Sequence, residues 1–307
     1  MQVELLQTGQ DRKLSGRIWT GDQSPATDTD TATDRVIYVC IHGLGDHGGH
    51  FESFAQTATD AGHAVVTMDL RGHGDSPGRK GHARSYDGLL TDIAALRRDA
   101  LTRFPGIPQT LLGHSMGGNL VVNYTLRHTE FDEPSNPAGD PLPPPAAMIL
   151  LSPMFLPPQH VTRPQIFAAW LTGYVLPAIR VTKKAELSDL TAVEDQAAAI
   201  ARDPKRHGKL SIYLATQLLS QGRWALDHCR EITIPSLLIY GNADTMVDRQ
   251  AVANAAVRMG SNATLLDWKD ARHDLLHDTD ATLITRRILT WTHSLAATPP
   301  PKLAATR

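Results

Sequence analysis

Two cysteines, Cys40 and Cys229, are all that this 307-residue chain contains, and neither stands in a spacing that a metal site or a disulfide framework uses. That scarcity excludes the small stapled scaffolds of secreted proteins and points to a reducing, cytoplasmic setting. Long apolar runs are also missing. No stretch approaches the ~20 residues that a membrane span requires, and the opening MQVELLQTGQDRK lacks the apolar centre of a signal peptide. Charge of one sign is absent too: Lys plus Arg total 30 against 32 for Asp plus Glu, and the net charge of -2 leaves no broad positive field to attract nucleic acid. No internal repeat is found.

The chain does hold enough apolar residues, 41% of the total, to bury a sizeable core. Residues 2–8 and 14–19 read as a hairpin of edge strands, followed by a polar loop over 20–34. Apolar strand-like runs at 35–41, 63–69 and 109–112 then alternate with helical stretches at about 49–61, 86–104 and 115–128. Nearly continuous apolar strands alternating with helices predict an α/β fold whose mostly parallel sheet is covered on both faces. A Pro-rich loop over 130–145 precedes a strand at 146–151. The pattern resumes at 236–240 with a strand, a helix at 249–259, a strand at 264–268 and a last helix at about 279–295.

Between those halves the pattern changes. Residues 154–231 contain no convincing buried strand, but they do contain an apolar helical patch at 166–176 that includes Trp170, Leu171, Tyr174, Val175 and Leu176. The expected organisation is a core of 1–153 and 232–296, an inserted helical cap of 154–231, and a disordered tail of 297–307 with three consecutive prolines.

The strongest chemical signal is Gly113-His114-Ser115-Met116-Gly117, placed between a strand and a helix. A nucleophile elbow needs small residues two places before and two places after its serine, because the turn is too sharp for a Cβ there. A serine hydroxyl also needs a base, and the base needs an orienting carboxylate. Asp244 follows the strand at 236–240 and His273 follows the strand at 264–268, in the order that this fold uses. Each has a neighbouring rival: Asp248, whose other role is to cap the helix beginning near Arg249, and His277, whose other role is a pocket wall or surface.

His42-Gly43-Leu44-Gly45 follows the strand at 35–41, where the amide of Leu44 can join that of Met116 as an oxyanion hole. The nearby His42, His47 and His50 match no common zinc spacing, so no metal is expected. The segment Asp69-Leu-Arg-Gly-His-Gly-Asp-Ser76 has no Gly-Lys-Ser element and reads as a structural turn, so no nucleotide or other organic cofactor is expected either.

The segments IHGLGDHGGHF, MDLRGHGDSPG, LLGHSMGGNL, LIYGNADTMVD and ARHDLLHD, in that order, resemble the monoacylglycerol lipase and lysophospholipase-like branch of the α/β-hydrolases, the serine aminopeptidase S33 type. The likeness spans about 35–295. It implies an α/β-hydrolase fold with an inserted cap, a triad of Ser115, Asp244 and His273, an oxyanion hole of Leu44 and Met116, and hydrolysis of monoacylglycerols or similar esters through an acyl-serine. It also implies substrate-binding roles for Asp46, His50 and His277, although His50 stands where relatives often carry arginine and His277 falls one position later than their second histidine.

The partners this implies are a small lipid or ester and, through the apolar patch of the cap, transient contact with a membrane surface. A general carboxylesterase, a lysophospholipase, an aminopeptidase of the proline-releasing kind, an acyltransferase and a non-catalytic lipid or hormone receptor are the alternatives. The peptidase would need an acidic cluster for a free amine, for which Glu186, Asp189, Glu194 and Asp195 are available.

Overall fold

A computed structural model describes residues 2–8, 13–21, 35–131, 141–158, 179–182 and 185–296. Residues 22–34 of the expected polar loop over 20–34, the centre of the Pro-rich loop, the apolar patch at 166–176 and the tail from 297 lie outside the described residues, while Thr20 ends β2.

An eight-stranded sheet forms the centre, in the order β1-β2-β4-β3-β5-β6-β9-β10. Its strands are β1 (Gln2–Thr8), β2 (Leu14–Thr20), β3 (Ile37–Ile41), β4 (Ala64–Met68), β5 (Gln109–His114), β6 (Ala147–Leu151), β9 (Ser236–Gly241) and β10 (Ala263–Trp268). Only β2 runs against its neighbours, pairing antiparallel with both β1 and β4, while every pairing from β4 to β10 is parallel.

Among the described residues the helices are α1 (Glu52–Asp60), α2 (Tyr86–Arg103), α3 (Met116–Phe131), α4 (Leu187–Leu190), α5 (Glu194–Arg202), α6 (Ile212–His228), α7 (Arg249–Met259) and α8 (Ala281–Ala296). A single strand shows why both faces of the sheet are covered. Ile37, Val39 and Ile41 of β3 join one hydrophobic cluster with residues of α2, α3, α6 and α7, whereas Tyr38 and Cys40 join a second cluster with residues of α1 and α8. Alternation along one strand thus feeds two cores.

The segment between β6 and its direct neighbour β9 differs from the alternating pattern. It carries a short antiparallel pair, β7 (Arg180–Thr182) with β8 (Lys209–Ser211), besides α4, α5 and α6. Three-residue, half-exposed strands are too short for a period of two to register in sequence. Within the same segment, α6 buries Leu214, Leu218, Ala225 and Leu226 in the cluster that also holds Leu120 and Val121 of α3. Asn119 of α3 strengthens that contact by donating to the carbonyls of Met154 at 2.8 Å and Leu218 at 3.1 Å.

Candidate active site

Loops at the carboxyl ends of parallel strands carry the chemistry-bearing residues: His42 to Gly45 after β3, Ser115 after β5, Asp244 after β9 and His273 after β10. Ser115 has a φ of 53°, the left-handed region that a non-glycine residue enters only under constraint. The constraint comes from three backbone bonds. Its N–H donates to Leu151 at 2.9 Å, and its carbonyl accepts from Asn119 at 3.1 Å and from Met154 at 3.1 Å. Gly117 is fixed by space, since a Cβ there would strike the carbonyl of Ile41 and lie 2.7 Å from that of His42.

The turn brings the Ser115 hydroxyl to 2.9 Å from Nε2 of His273, whose Nδ1 lies 2.8 Å from Oδ2 of Asp244. His273 and Asp244 are 2% and 3% exposed, so water screens their contact little. The other oxygen of Asp244 accepts the amide of Met246 at 2.7 Å. Burial pushes the Asp244 carboxyl up, but His273 and the Met246 amide outweigh it and hold the group below the usual carboxylate range. For His273 burial pulls the imidazole down, while Asp244 beside it brings the net shift upward. An aligned hydroxyl, imidazole and carboxylate of this kind can remove the serine proton and stabilise the imidazolium that results.

Asp248, the rival carboxylate, accepts the amide of Ala251 at 3.2 Å and caps α7. His277, the rival base, donates from Nδ1 to Asp274 at 3.0 Å. His42 is internal support. Its Nδ1 donates to the carbonyl of Gly43 at 2.8 Å and its Nε2 accepts the amide of Leu70 at 2.9 Å, while burial lowers its pKa to about 4.

The turn that carries Leu44 closes through the amide of Asp46 on the carbonyl of Gly43, at 3.4 Å, with Gly45 at a φ of 73°. A Cβ on Gly43 would lie 3.3 Å from that of Ser115, so the turn runs directly beside that serine. The second expected oxyanion donor, the amide of Met116, belongs to the first turn of α3 and has no partner inside the helix.

Asp46 and His50 are 1% and 4% exposed, and their side chains face protein groups. Asp46 lies 2.8 Å from Nδ1 of His50 through one oxygen and 3.1 Å from Arg206 through the other. Burial works against its ionisation, yet His50 and Arg206 hold it well below the usual range. Nε2 of His50 lies 3.6 Å from Asp274, and its ring stacks on His114 with centroids 4.7 Å apart. His114 donates from Nε2 to the carbonyl of His273 at 3.3 Å, and burial lowers its pKa to about 3. Among these residues His277 is the more open, with 16% of its side chain exposed.

Asp274, His114 and Arg206 carry no role that motif reasoning assigns. Asp274 and His114 adjoin motif residues whose chemistry accounts for the pattern without them, and the stretch around Arg206, DPKRHGK, reads as a solvated loop. Donor atoms of His50, Asp274 and His277, and of Asp46, His50 and His114, lie within 4.8 Å of one another and are of types that a zinc ion accepts. The His277–Asp274 contact at 3.0 Å is a hydrogen bond that forms without an ion, whereas Oδ2 of Asp46 and both ring nitrogens of His50 are buried with no hydrogen-bond partner among the described residues. No described helix is long and apolar enough to cross a membrane.

Residues 32–280 match the family model described as serine aminopeptidase, S33. A monoacylglycerol lipase of Mycolicibacterium smegmatis is 27% identical over 280 residues, covering 89% of this chain and 90% of that protein. An abhydrolase domain-containing protein of Dictyostelium discoideum is also 27% identical, over 294 residues, but the chain spans only 28% of its length. Among solved structures, a soluble variant of monoglyceride lipase from Saccharomyces cerevisiae, in complex with a substrate analog, superimposes with a TM-score of 0.81 at 19% identity over 97% of each chain. Fold, motif order and family match agree: this chain belongs to the serine aminopeptidase S33 family of α/β-hydrolases and is a hydrolase.

Proposed function

We propose that the protein is a serine esterase that hydrolyses carboxylic esters, monoacylglycerols foremost, through an acyl-serine intermediate. The observation that carries the reading is the continuous contact from the Ser115 hydroxyl through His273 to Asp244, at 2.9 and 2.8 Å. His273 takes the Ser115 proton as the oxygen attacks the ester carbonyl, and the amides of Leu44 and Met116 receive the negative charge on the tetrahedral intermediate. When that intermediate collapses, His273 gives the proton to the departing alcohol. It then deprotonates the water that releases the acid and restores the serine.

The substrate class draws support from the Mycolicibacterium smegmatis relative, a monoacylglycerol lipase matched over nearly its whole length. The acyl chain is assigned to the apolar residues 166–176, and this assignment rests on sequence alone, as does transient contact with a lipid surface there. A peptidase reading gains little from the acidic residues. Glu186, Glu194 and Asp195 are exposed, and Asp189 accepts the hydroxyl of Thr245 at 2.8 Å.

Ser115→Ala tests the proposal. Turnover of monoacylglycerols and p-nitrophenyl esters should fall by roughly 10⁶, the scale on which removal of a nucleophilic serine acts, with the circular dichroism spectrum unchanged. Covalent labelling by a fluorophosphonate should disappear as well. Wild-type turnover in that variant would end the proposal, and a wild-type enzyme that cleaves aminoacyl amides but no ester would replace the substrate class.

A further inference from the structure

The esterase reading requires the Leu44 amide to be held in place, and the bond that closes the turn carrying it is a long one, 3.4 Å. Local support comes from His42, whose Nδ1 donates to the Gly43 carbonyl at 2.8 Å, and from the His47 amide on Asp46 at 2.8 Å, and further support comes from the distant stretch 203–211. The amide of His207 donates to the carbonyl of Gly45 at 2.9 Å, and a Cβ on Gly45 would strike the His207 carbonyl. One residue earlier, Arg206 lies 3.1 Å from the carboxylate of Asp46, the last residue of the turn, with the two side chains 17% and 2% exposed.

The stretch is in turn tied down on both sides. His207 donates from Nε2 to Gly72 at 3.0 Å and accepts the amide of Lys209 on Nδ1 at 3.2 Å, so both ring nitrogens are used. Asp203 lies 2.7 Å from Nε2 of His47, and the amide of Ser211 donates to Gly81 at 2.8 Å.

We propose that Arg206 is a positioning residue for the reaction. Through its ion pair with Asp46, together with the His207 amide on Gly45, it sets the direction of the Leu44 N–H toward the oxyanion. The inference rests on the esterase reading and extends it: residues 203–211 hold part of the catalytic apparatus. An oxyanion donor works only if it is aimed at the place where charge develops, and that charge exists in the transition state but not in the bound ester. Loosening the turn therefore lowers kcat and leaves KM almost unchanged.

The test compares Arg206→Gln, Arg206→Lys, Asp46→Asn and the double variant Arg206→Gln/Asp46→Asn on a short-chain p-nitrophenyl ester. Inhibition by a boronic acid that forms a tetrahedral adduct on the serine is measured in parallel. Removing a donor outright costs about 10²–10³ in kcat, so misaiming one should cost about 10-fold or more, with KM changed less than about twofold. Boronate affinity should fall by the same factor as kcat, Arg206→Lys should recover most of it, and the double variant should be no worse than Arg206→Gln alone.

Unchanged kcat with a lowered Tm in Arg206→Gln would overturn the inference, as would a rise in KM at constant kcat. Should Arg206→Gln fail to fold, Asp46→Asn reads the same contact from an isosteric side chain. Wild-type protein that turns over no ester would remove the esterase reading itself, whereas active wild type with an indifferent Arg206→Gln removes only the positioning role.

Discussion

The elbow at Ser115 and the turn at Leu44 lie side by side and are expected to serve one negative charge, yet they are held in opposite ways. The elbow is held within the central sheet. Strand β5 ends, α3 begins, Gly117 lets the backbone pass the carbonyl of Ile41, and a bond to Leu151 on the adjacent strand locks the serine at positive φ. Beyond the His42 and His47 bonds beside it, the turn is held by groups far away along the chain, since Arg206 and His207 reach Asp46 and Gly45 from the segment between β6 and β9. One arrangement is built into the sheet, and the other depends also on the segment between β6 and β9 lying in its correct place.

Two glycines allow that contrast to be broken one side at a time. Gly117→Ala should have the largest effect. The Cβ would meet backbone carbonyls at the end of β3, a central strand with no room to retreat, and overpacking of this kind costs ~1–3 kcal/mol even where side chains can adjust. Loss at or beyond the upper end of that range is expected in urea unfolding, together with loss of fluorophosphonate labelling at Ser115. A variant of wild-type stability that still labels would show that the elbow is less confined than its geometry implies.

Gly45→Ala strikes the other side and should do less to the fold and more to the rate. The left-handed backbone costs an L-residue roughly 1–2 kcal/mol, and the new methyl would push on the carbonyl of His207 in a segment outside the main sheet. The nucleophile should stay intact, with Ser115 labelled at a measurable rate, while kcat falls by about 10-fold or more through the displaced Leu44 amide. Equal damage from Gly45→Ala and Gly117→Ala, in both stability and labelling, would erase the distinction between the two supports.

The same contrast explains what could be read from sequence. Alternation along Ile37–Ile41 and the Gly-His-Ser-Met-Gly spacing are local patterns, so the sheet, the elbow and the order of Ser115, Asp244 and His273 stand out in the chain itself. Asp274 and His114 stand within those motifs but act through contacts that adjacency does not encode, such as the carbonyl of His273 on Nε2 of His114. Arg206 is the extreme case. It meets Asp46 across the molecule, and nothing in Asp-Pro-Lys-Arg-His-Gly-Lys separates an inward-facing arginine from the solvated lysine beside it. The same loss of local signal hid β7 and β8, whose pairing joins residues on either side of α4 and α5.

That neighbouring lysine supplies the finest test of the comparison. Lys205 pairs with Asp75 at 2.5 Å, but their side chains are 37% and 52% exposed, against 17% and 2% for Arg206 and Asp46. Exposed pairs are screened by water and salt and contribute ~0–1 kcal/mol, so Lys205→Ala should shift the urea midpoint only slightly and leave kcat within about twofold. Both contacts come from one short stretch and bind it to the same side of the molecule, so they differ chiefly in burial and in what they grip. Asp75 sits in a structural turn, whereas Asp46 ends the turn that carries Leu44. If Lys205→Ala lowers kcat as far as Arg206→Gln does, the stretch acts simply by being attached, and the aim of the Leu44 amide owes nothing particular to Arg206.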